Sequence, residues 1–443
     1  MRQGLTVVSL IGACLTLSSS VAVSQPDCAP WPPPVGTVIE VEPVEAAQLK
    51  SIISNAASGT TVLLHDGFYD MSSGGSSQLV FATPGVTMRS FSGSRGAVVL
   101  DGGYVTGELV SIKAADVTIA DLTLRRAYYH PIHVSGSAGS PITGATIHNV
   151  RIVDPGQQAI KINPVGDGWA DEGVIECSSI ELTPAGRAQI RDSCYTGGID
   201  AHAAQGWVVR RNRIEGFWCD SGLSEHGVHF WRASRDTVVE QNVIVDCARG
   251  VGFGLGSSGG TRVYPDDPYP GVGNKGHIDG AVRNNFIAAT EADLFSSEFG
   301  FDTGVGLEQA AGARVLHNTV VSSQNPASSS IEWRFSATVA EVANNLTTHL
   351  LRPRDGGQAN LQGNLTTAQT SWFVDVVAGD LHLEPTGMAA VDSGASLPVG
   401  WADRDLDHQL RDSLPDVGAD ELVEAIFRDG FESGDLGGWT VFY

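Results

Sequence analysis

An all-β fold built from repeated coils is what this sequence predicts, and three observations carry the prediction. The first is a series of V-x-x-N-x-[apolar] segments beginning at Val209, Val239, Val282, Val315 and Val342. Their asparagines, Asn212, Asn242, Asn285, Asn318 and Asn345, recur unevenly, with Asn364 following. Self-similarity on a scale of roughly 20–50 residues marks a repeat architecture, and uneven spacing suits coils with loops of variable length better than identical helical hairpins. The second is the run of short β-branched strands from Thr61 onward, separated by Gly, Asn and Ser turns, a pattern of strands rather than helices. The third is composition: 443 residues with 53 glycines, 42% hydrophobic and 17% charged residues, enough apolar material for a large core. Asparagine tolerates left-handed backbone and bonds neighbouring backbone groups, so a stack of asparagines suits one recurring bend.

Residues 1–24 read as a secretory leader: Arg2, an apolar run from Leu5 to Leu17, and the small-residue site Ala22-Val23-Ser24. Cys14 after Ile11-Gly12-Ala13 offers a lipoprotein alternative. Residues 25–57 form a proline-rich lead-in, Pro30 to Pro34, and a capping helix over Val44 to Ala57, with apolar positions at Ala47, Leu49, Ile52 and Ile53. Residues 58–420 carry the coils, and 421–443 a tail. No later segment has the ~18 uninterrupted apolar residues of a membrane span. The expected setting is the cell exterior, and the expected state a monomer. A net charge of −23 argues against a nucleic-acid backbone as ligand, and any polyanionic ligand has to find a local positive patch.

Five cysteines follow the leader: Cys28, Cys177, Cys194, Cys219 and Cys247. The odd number leaves one unpaired. Cys219 and Cys247 stand at similar distances after their repeat asparagines, so a Cys219–Cys247 bridge is expected, with Cys177–Cys194 as the second and Cys28 left over.

The strand pattern with its asparagine series resembles the right-handed parallel β-helix of the pectate-lyase-like superfamily, over about residues 36–421. This resemblance implies a single-stranded helix of parallel coils behind the N-terminal helical cap. Asp416-Val417-Gly418-Ala419-Asp420 resembles a closing motif of such secreted chains, and residues 426–435 resemble a short tail of exported bacterial proteins.

Alternation within strands aligns eight segments that begin at Val110, Ile132, Ile160, Ile199, Val228, Val251, Val305 and Ile331. Their outward residues then form two columns. One reads Ser111, His133, Lys161, Asp200, His229, Gly252, Gly306, Glu332. The other reads Lys113, Ser135, Asn163, His202, Trp231, Gly254, Glu308, Arg334. Lys161, Asp200, His202, His229 and Trp231 thus gather on adjacent rungs, with Gly252 and Gly254 expected to open space for a sugar ring beside Trp231.

Tyr195-Thr196-Gly197-Gly198-Ile199-Asp200-Ala201-His202 also resembles the catalytic strand of alginate C-5 epimerases, which carries Tyr and then Asp-Pro-His-Asp. Asp200 and His202 match, Ala201 and Ala203 replace the proline and the last aspartate, and Tyr195 lies two residues farther upstream. Lys161 suits the lysine that family sets beside the pair.

The expected activity is a secreted lyase or epimerase that removes the proton alpha to the carboxylate of a uronate-containing polysaccharide. His202 is the candidate base, oriented by Asp200; Tyr195 is the candidate acid; Lys161 and Arg334 offset charge; His229 completes the catalytic patch. His133, Trp231, Arg334 and Glu308 are the candidate substrate contacts. A non-catalytic carbohydrate-binding or adhesin-like β-helix is the alternative, and a glycoside hydrolase, which needs grouped carboxylates, ranks third. His133, Asp200, His202 and His229 are possible transition-metal ligands. No cofactor is required by the sequence, although Asp266-Asp267 and Asp403 to Asp412 are acidic loops open to calcium. Tyr264 and Tyr269, in the insertion between Ser257 and Gly276, are possible lid or platform residues.

Overall fold

The computed structural model describes residues 28–260 and 262–422. The expected leader, residues 1–24, and nearly all of the expected tail, residues 421–443, lie outside them. Three long sheets of 14, 10 and 10 strands run parallel throughout. Each coil contributes one strand to each, in the order here called sheets A, B and C: Thr146–His148, Arg151–Val153 and Gln158–Ile162 make one coil, and Val174–Glu176, Ser179–Glu181 and Gly197–His202 the next. The chain is a right-handed parallel β-helix. The strand Val38–Val41 opens sheet A by pairing with Thr61–Leu64, and the cap between them is a 3-10 turn, Pro43–Gln48, running into an α-helix, Leu49–Asn55. Leu49 and Ile53 close the end of the core, whereas Ala47 is exposed.

Inward residues from all three sheets form one continuous core, including Val110, Ile132, Ile160, Ile199, Val228, Val251, Val305 and Ile331, each fully buried. Each such side chain contributes about 1.5–3 kcal/mol relative to exposure. The alternation drawn from sequence therefore holds in every one of the eight segments.

The asparagines form a ladder at the bend from sheet A to sheet B. Asn242 Oδ1 accepts both the backbone N–H and the side-chain amide of Asn212 at 3.0 Å, and the same side-chain step links Asn242 to Asn285 and Asn285 to Asn318 at 2.9 Å. It continues through Asn345 to Asn364. The left-handed position, however, is the residue before each asparagine: Arg211, Gln241, Asn284, His317 and Asn344 have φ between 49° and 56°. The ladder residue supplies the hydrogen bonds and its predecessor makes the bend.

Both expected disulfides are corrected. The bridges are Cys28–Cys177 and Cys194–Cys219, each with Cα atoms 5.9 Å apart, and Cys247 is a buried free thiol. Cys177 sits at the A-to-B bend with φ 59°, where the lead-in segment crosses; Arg89 holds that segment by donating to the carbonyls of Trp31 and Pro32. Cys194 lies instead on the loop before the Gly197–His202 strand, at another corner of the coil. Cys247 points into the core, and burial pushes its thiol up to about 12, so it cannot meet the outward-looping Cys219. Non-reducing peptide mapping is expected to recover the 28–177 and 194–219 pairs with Cys247 alkylated only after unfolding; a 219–247 peptide would contradict the structure.

A second core, including Phe286, Phe373, Leu381, Leu406, Val417 and Ala419, covers the C-terminal end. The Asp416–Asp420 motif ties it down: Asp416 accepts from Asp392 N and Leu422 N at 2.7 Å, and Asp420 from Leu383 N at 2.8 Å. His382 lies between Asp380 and Asp407, at 2.5 and 2.9 Å. Burial opposes its charge, but the hydrogen bonds to these carboxylates, with Asp420 nearby, raise it from 6.5 to about 10. Its stabilisation is full below pH 6.5 and is lost as pH rises through about 10. Asp420, lifted to about 6 mainly by burial, acts in the same direction, since its ionisation is disfavoured in the folded state. The melting temperature is expected to fall across this alkaline window, and His382→Ala to flatten the fall; an unchanged slope in the variant would refute the assignment.

Candidate functional site on sheet C

The register brings the first column together rung by rung: His133 pairs with Lys161, Lys161 with Asp200, Asp200 with His229, and His229 with Gly252. His202 lies beside Trp231 in the second column. Lys161 is the hub. Its ammonium donates to Tyr195 Oη at 3.0 Å, to His202 Nε2 at 3.0 Å, and to Asp200 Oδ2, which engages all three of its donors. Asp200 Oδ1 accepts from Trp231 Nε1 at 2.8 Å, and His202 Nε2 stands 3.3 Å from Asp200 Oδ2.

Burial decides the charge states. It pushes the Asp200 carboxyl up, but the adjacent His202 and the Lys161 charge outweigh it and hold the group well below the usual carboxylate range. Burial likewise opposes charge on Lys161, and Asp200 wins, raising it. For His202 burial dominates the attraction of Asp200, with Lys161 and Arg232 adding to it, so its imidazole is pulled below 6.5 and is neutral at neutral pH. The patch is a fixed ion pair carrying a neutral histidine and a tyrosine. The tyrosine is set by its loop: the Cys194–Cys219 bridge ends one residue before it. A cleft of about 500 Å³, lined by Arg187, Trp218, Cys194, Cys219 and Glu291, borders the same loop.

Several expected roles are altered. Lys161 has all three donors engaged within the protein and offers one to a substrate carboxylate only when an existing partner is displaced. Arg334 is three strands beyond Trp231, about 14 Å at ~4.8 Å per strand, and is paired with Glu308 at 3.1 Å and Asp355 at 2.7 Å; neither it nor Glu308, which also holds Gly256 N, belongs to the Lys161 patch. Gly252 and Gly254 open no slot, because a Cβ on Gly252 would lie 2.5 Å from the His226 ring and Gly254 turns at φ 77° against the Glu308 carbonyl. Trp231 is stacked on His229 at 5.5 Å with Arg232 4.7 Å from its ring centre, which makes it a packing element before a sugar platform. His133 is held by Glu108 and Asn163, each at 2.5 Å, one rung from Lys161. The insertion tyrosines are anchored: Tyr264 Oη donates to Ala233 O at 2.9 Å and Tyr269 Oη to Asp279. Of the acidic loops, Asp266 binds Arg235, Asp267 binds Lys275, and Asp405 caps Gln409.

The four-residue metal set does not assemble either, because His133 is tied elsewhere and Asp200 and His202 face the ammonium. His229 instead groups with Glu225 and His226, residues that alternation could not reveal because they precede the strand Val228–Trp231. Arg232 was also missed. It is exposed just after that strand, with φ 58° and no carboxylate partner among the described residues.

No family model matches the sequence, and no curated protein does either. Solved structures do match by shape. An alginate lyase from Paenibacillus sp. str. FPU-7 superposes with a TM-score of 0.51 at 17% identity, covering 74% of this chain and 99% of its own. The pectate lyase Pel9A also gives 0.51, at 14% identity, covering 88% and 97%. The parallel β-helix fold is what this chain shares with them. At these identities the likeness is one of fold.

Proposed function

We propose that this β-helix is a polysaccharide-active enzyme that removes the C-5 proton of a uronate, as a lyase or an epimerase. The carrying observation is that a single ammonium, Lys161 Nζ, stands 3.0 Å from both Tyr195 Oη and His202 Nε2, so an acid and a base are held on either side of one cation. The neutral His202 takes the C-5 proton when the substrate displaces Lys161 from Nε2. Asp200 stabilises the imidazolium that forms. Tyr195, whose oxygen accepts from Lys161, keeps its own O–H for the substrate. In elimination, the C-5–H bond breaks to His202, a C-4–C-5 double bond forms, and the departing O-4 takes the Tyr195 proton; return of a proton to the opposite face of C-5 gives epimerisation. Arg232 is the cation placed to meet the uronate carboxylate. That the matched solved structures include an alginate lyase and a pectate lyase supports a uronate polymer as substrate.

The hydrolytic alternative needs a carboxylic acid kept protonated, whereas Asp200 and Glu225 are both shifted toward the ionised form. The test is incubation with polymannuronate, polyguluronate and polygalacturonate. Ultraviolet absorbance of unsaturated ends identifies a lyase, and deuterium entry at C-5 by NMR an epimerase. New reducing ends without unsaturation would establish hydrolysis, and binding without turnover a binding module. Since His202 has to be neutral, the acid limb of kcat/KM is expected to fall below the usual imidazole range.

A further inference from the structure

We propose that Glu225, His226 and His229 form a binding site for a transition-metal ion of the Zn²⁺ class, in the wall of sheet C one rung from Asp200. One ligand atom from each lies within 4.8 Å of the others. His226 and His229 are buried, and Glu225 alone reaches solvent, with 18% of its side chain exposed. His226 Nδ1 is buried without a hydrogen-bond partner, while His229 Nδ1 and Glu225 Oε2 face each other at 3.1 Å and have no other hydrogen-bond partner. Buried polar groups are nearly always paired, so an unpartnered imidazole whose ring lies 4.3 Å from that of His229, beside a carboxylate, marks a place where a cation belongs.

The tautomer of His229 sharpens this. Its Nε2 lies 3.0 Å from the Gly254 carbonyl, which can only accept, so in the neutral ring Nε2 carries the proton and the Nδ1 lone pair faces inward; without an ion, burial is outweighed by Glu225 and Asp200, which favour a second proton at that position. That lone pair meets Glu225 Oε2 at 3.1 Å and Asp200 Oδ1 at 3.8 Å. Three electron-rich atoms facing one another repel unless positive charge sits between them. A ring nitrogen fixed by a backbone carbonyl is also how metal-bound histidines are oriented. Ligand bonds of ~2.0–2.1 Å give a tetrahedral edge of about 3.3 Å, close to the Glu225–His229 separation. Two imidazoles with one carboxylate select a transition ion over calcium, which takes six to eight oxygens. The rings cannot be repositioned easily: His226 fills the space over Gly252, and His229 is stacked on Trp231. Three protein ligands leave a fourth position, on the Glu225 side, for water or a substrate oxygen.

The purified, disulfide-intact protein, freed of metal by chelator, would be titrated with Co²⁺ and followed by visible absorption, and its Zn²⁺ content after reloading measured by elemental mass spectrometry. One ion per chain with tetrahedral Co²⁺ bands is expected. Glu225→Gln, which keeps shape and burial, is expected to weaken Zn²⁺ binding at least ~10-fold; His226→Ala is the harsher variant, judged alongside its circular dichroism. His382→Ala, which removes the other grouping of potential ligands, His382, Asp407 and Asp420, is expected to bind as wild type. A wild-type protein that takes up neither ion, or uptake unchanged in Glu225→Gln, would overturn the proposal and leave a proton on His229 as the charge in the gap. None of these readouts depends on the uronate chemistry.

Discussion

His202→Ala is expected to lower turnover of a uronate polymer ~10²–10⁴-fold, the usual contribution of a positioned general base, while thermal unfolding stays close to wild type. The side chain is a mostly buried ring on the outward face of sheet C, 14% exposed and packed edge-on against Trp231 at 4.5 Å. Tyr195→Phe is expected to fall in the same range, since it removes only the hydroxyl that accepts from Lys161. The pair separates chemistry from affinity: a loss in kcat at constant KM fits acid–base roles. Wild-type rates in both variants, on a substrate that the parent turns over, would remove the assignment.

The second large effect is on stability. Lys161 and Asp200 are 8% and 1% exposed at the side chain, so their attraction is scarcely screened. Breaking a buried pair by removing one partner costs about 3–5 kcal/mol, because an uncompensated charge stays behind. Lys161→Met is therefore expected to destabilise by about that amount in urea unfolding, toward the lower end because Trp231 Nε1 still bonds the stranded carboxylate. Lys161→Met with Asp200→Asn is expected to recover much of the loss, since neither charge then remains. Additive losses in this double-mutant cycle would mean the two side chains do not act as a pair. The same double variant is expected to stay inactive even where stability returns.

The fold was legible because its two signals are one-dimensional. The asparagines mark one bend, and alternation of apolar residues marks one sheet, so the register of eight strands followed from Val110 to Arg334 without any three-dimensional information. The core of the site followed too, since Lys161, Asp200, His202 and His229 lie on those strands. What escaped lies off them. Glu225, His226 and Arg232 flank a strand rather than occupy it, and disulfide pairing depends on where loops travel, which sent Cys28 to Cys177 and Cys194 to Cys219. Arg334 is set apart for a different reason: three rungs at ~4.8 Å put it about 14 Å from Trp231, and Glu308 and Asp355 hold it there. The glycines misled because an absent side chain on a crowded wall is filled by a neighbour, here His226, as readily as by a ligand.

The 194–219 bridge makes the history of the polypeptide part of its activity. Neither of those two cysteines belongs to a strand, so the joint fixes a loop rather than a sheet, and that loop carries the phenol that stands beside the ammonium. Protein produced in a reducing cytoplasm lacks both bridges, at a cost of about 2–5 kcal/mol each, and the fraction that still folds is expected to be inert. Thiol titration, rather than any measure of folding, is the quality control that a batch has to pass before a negative activity assay says anything about substrate.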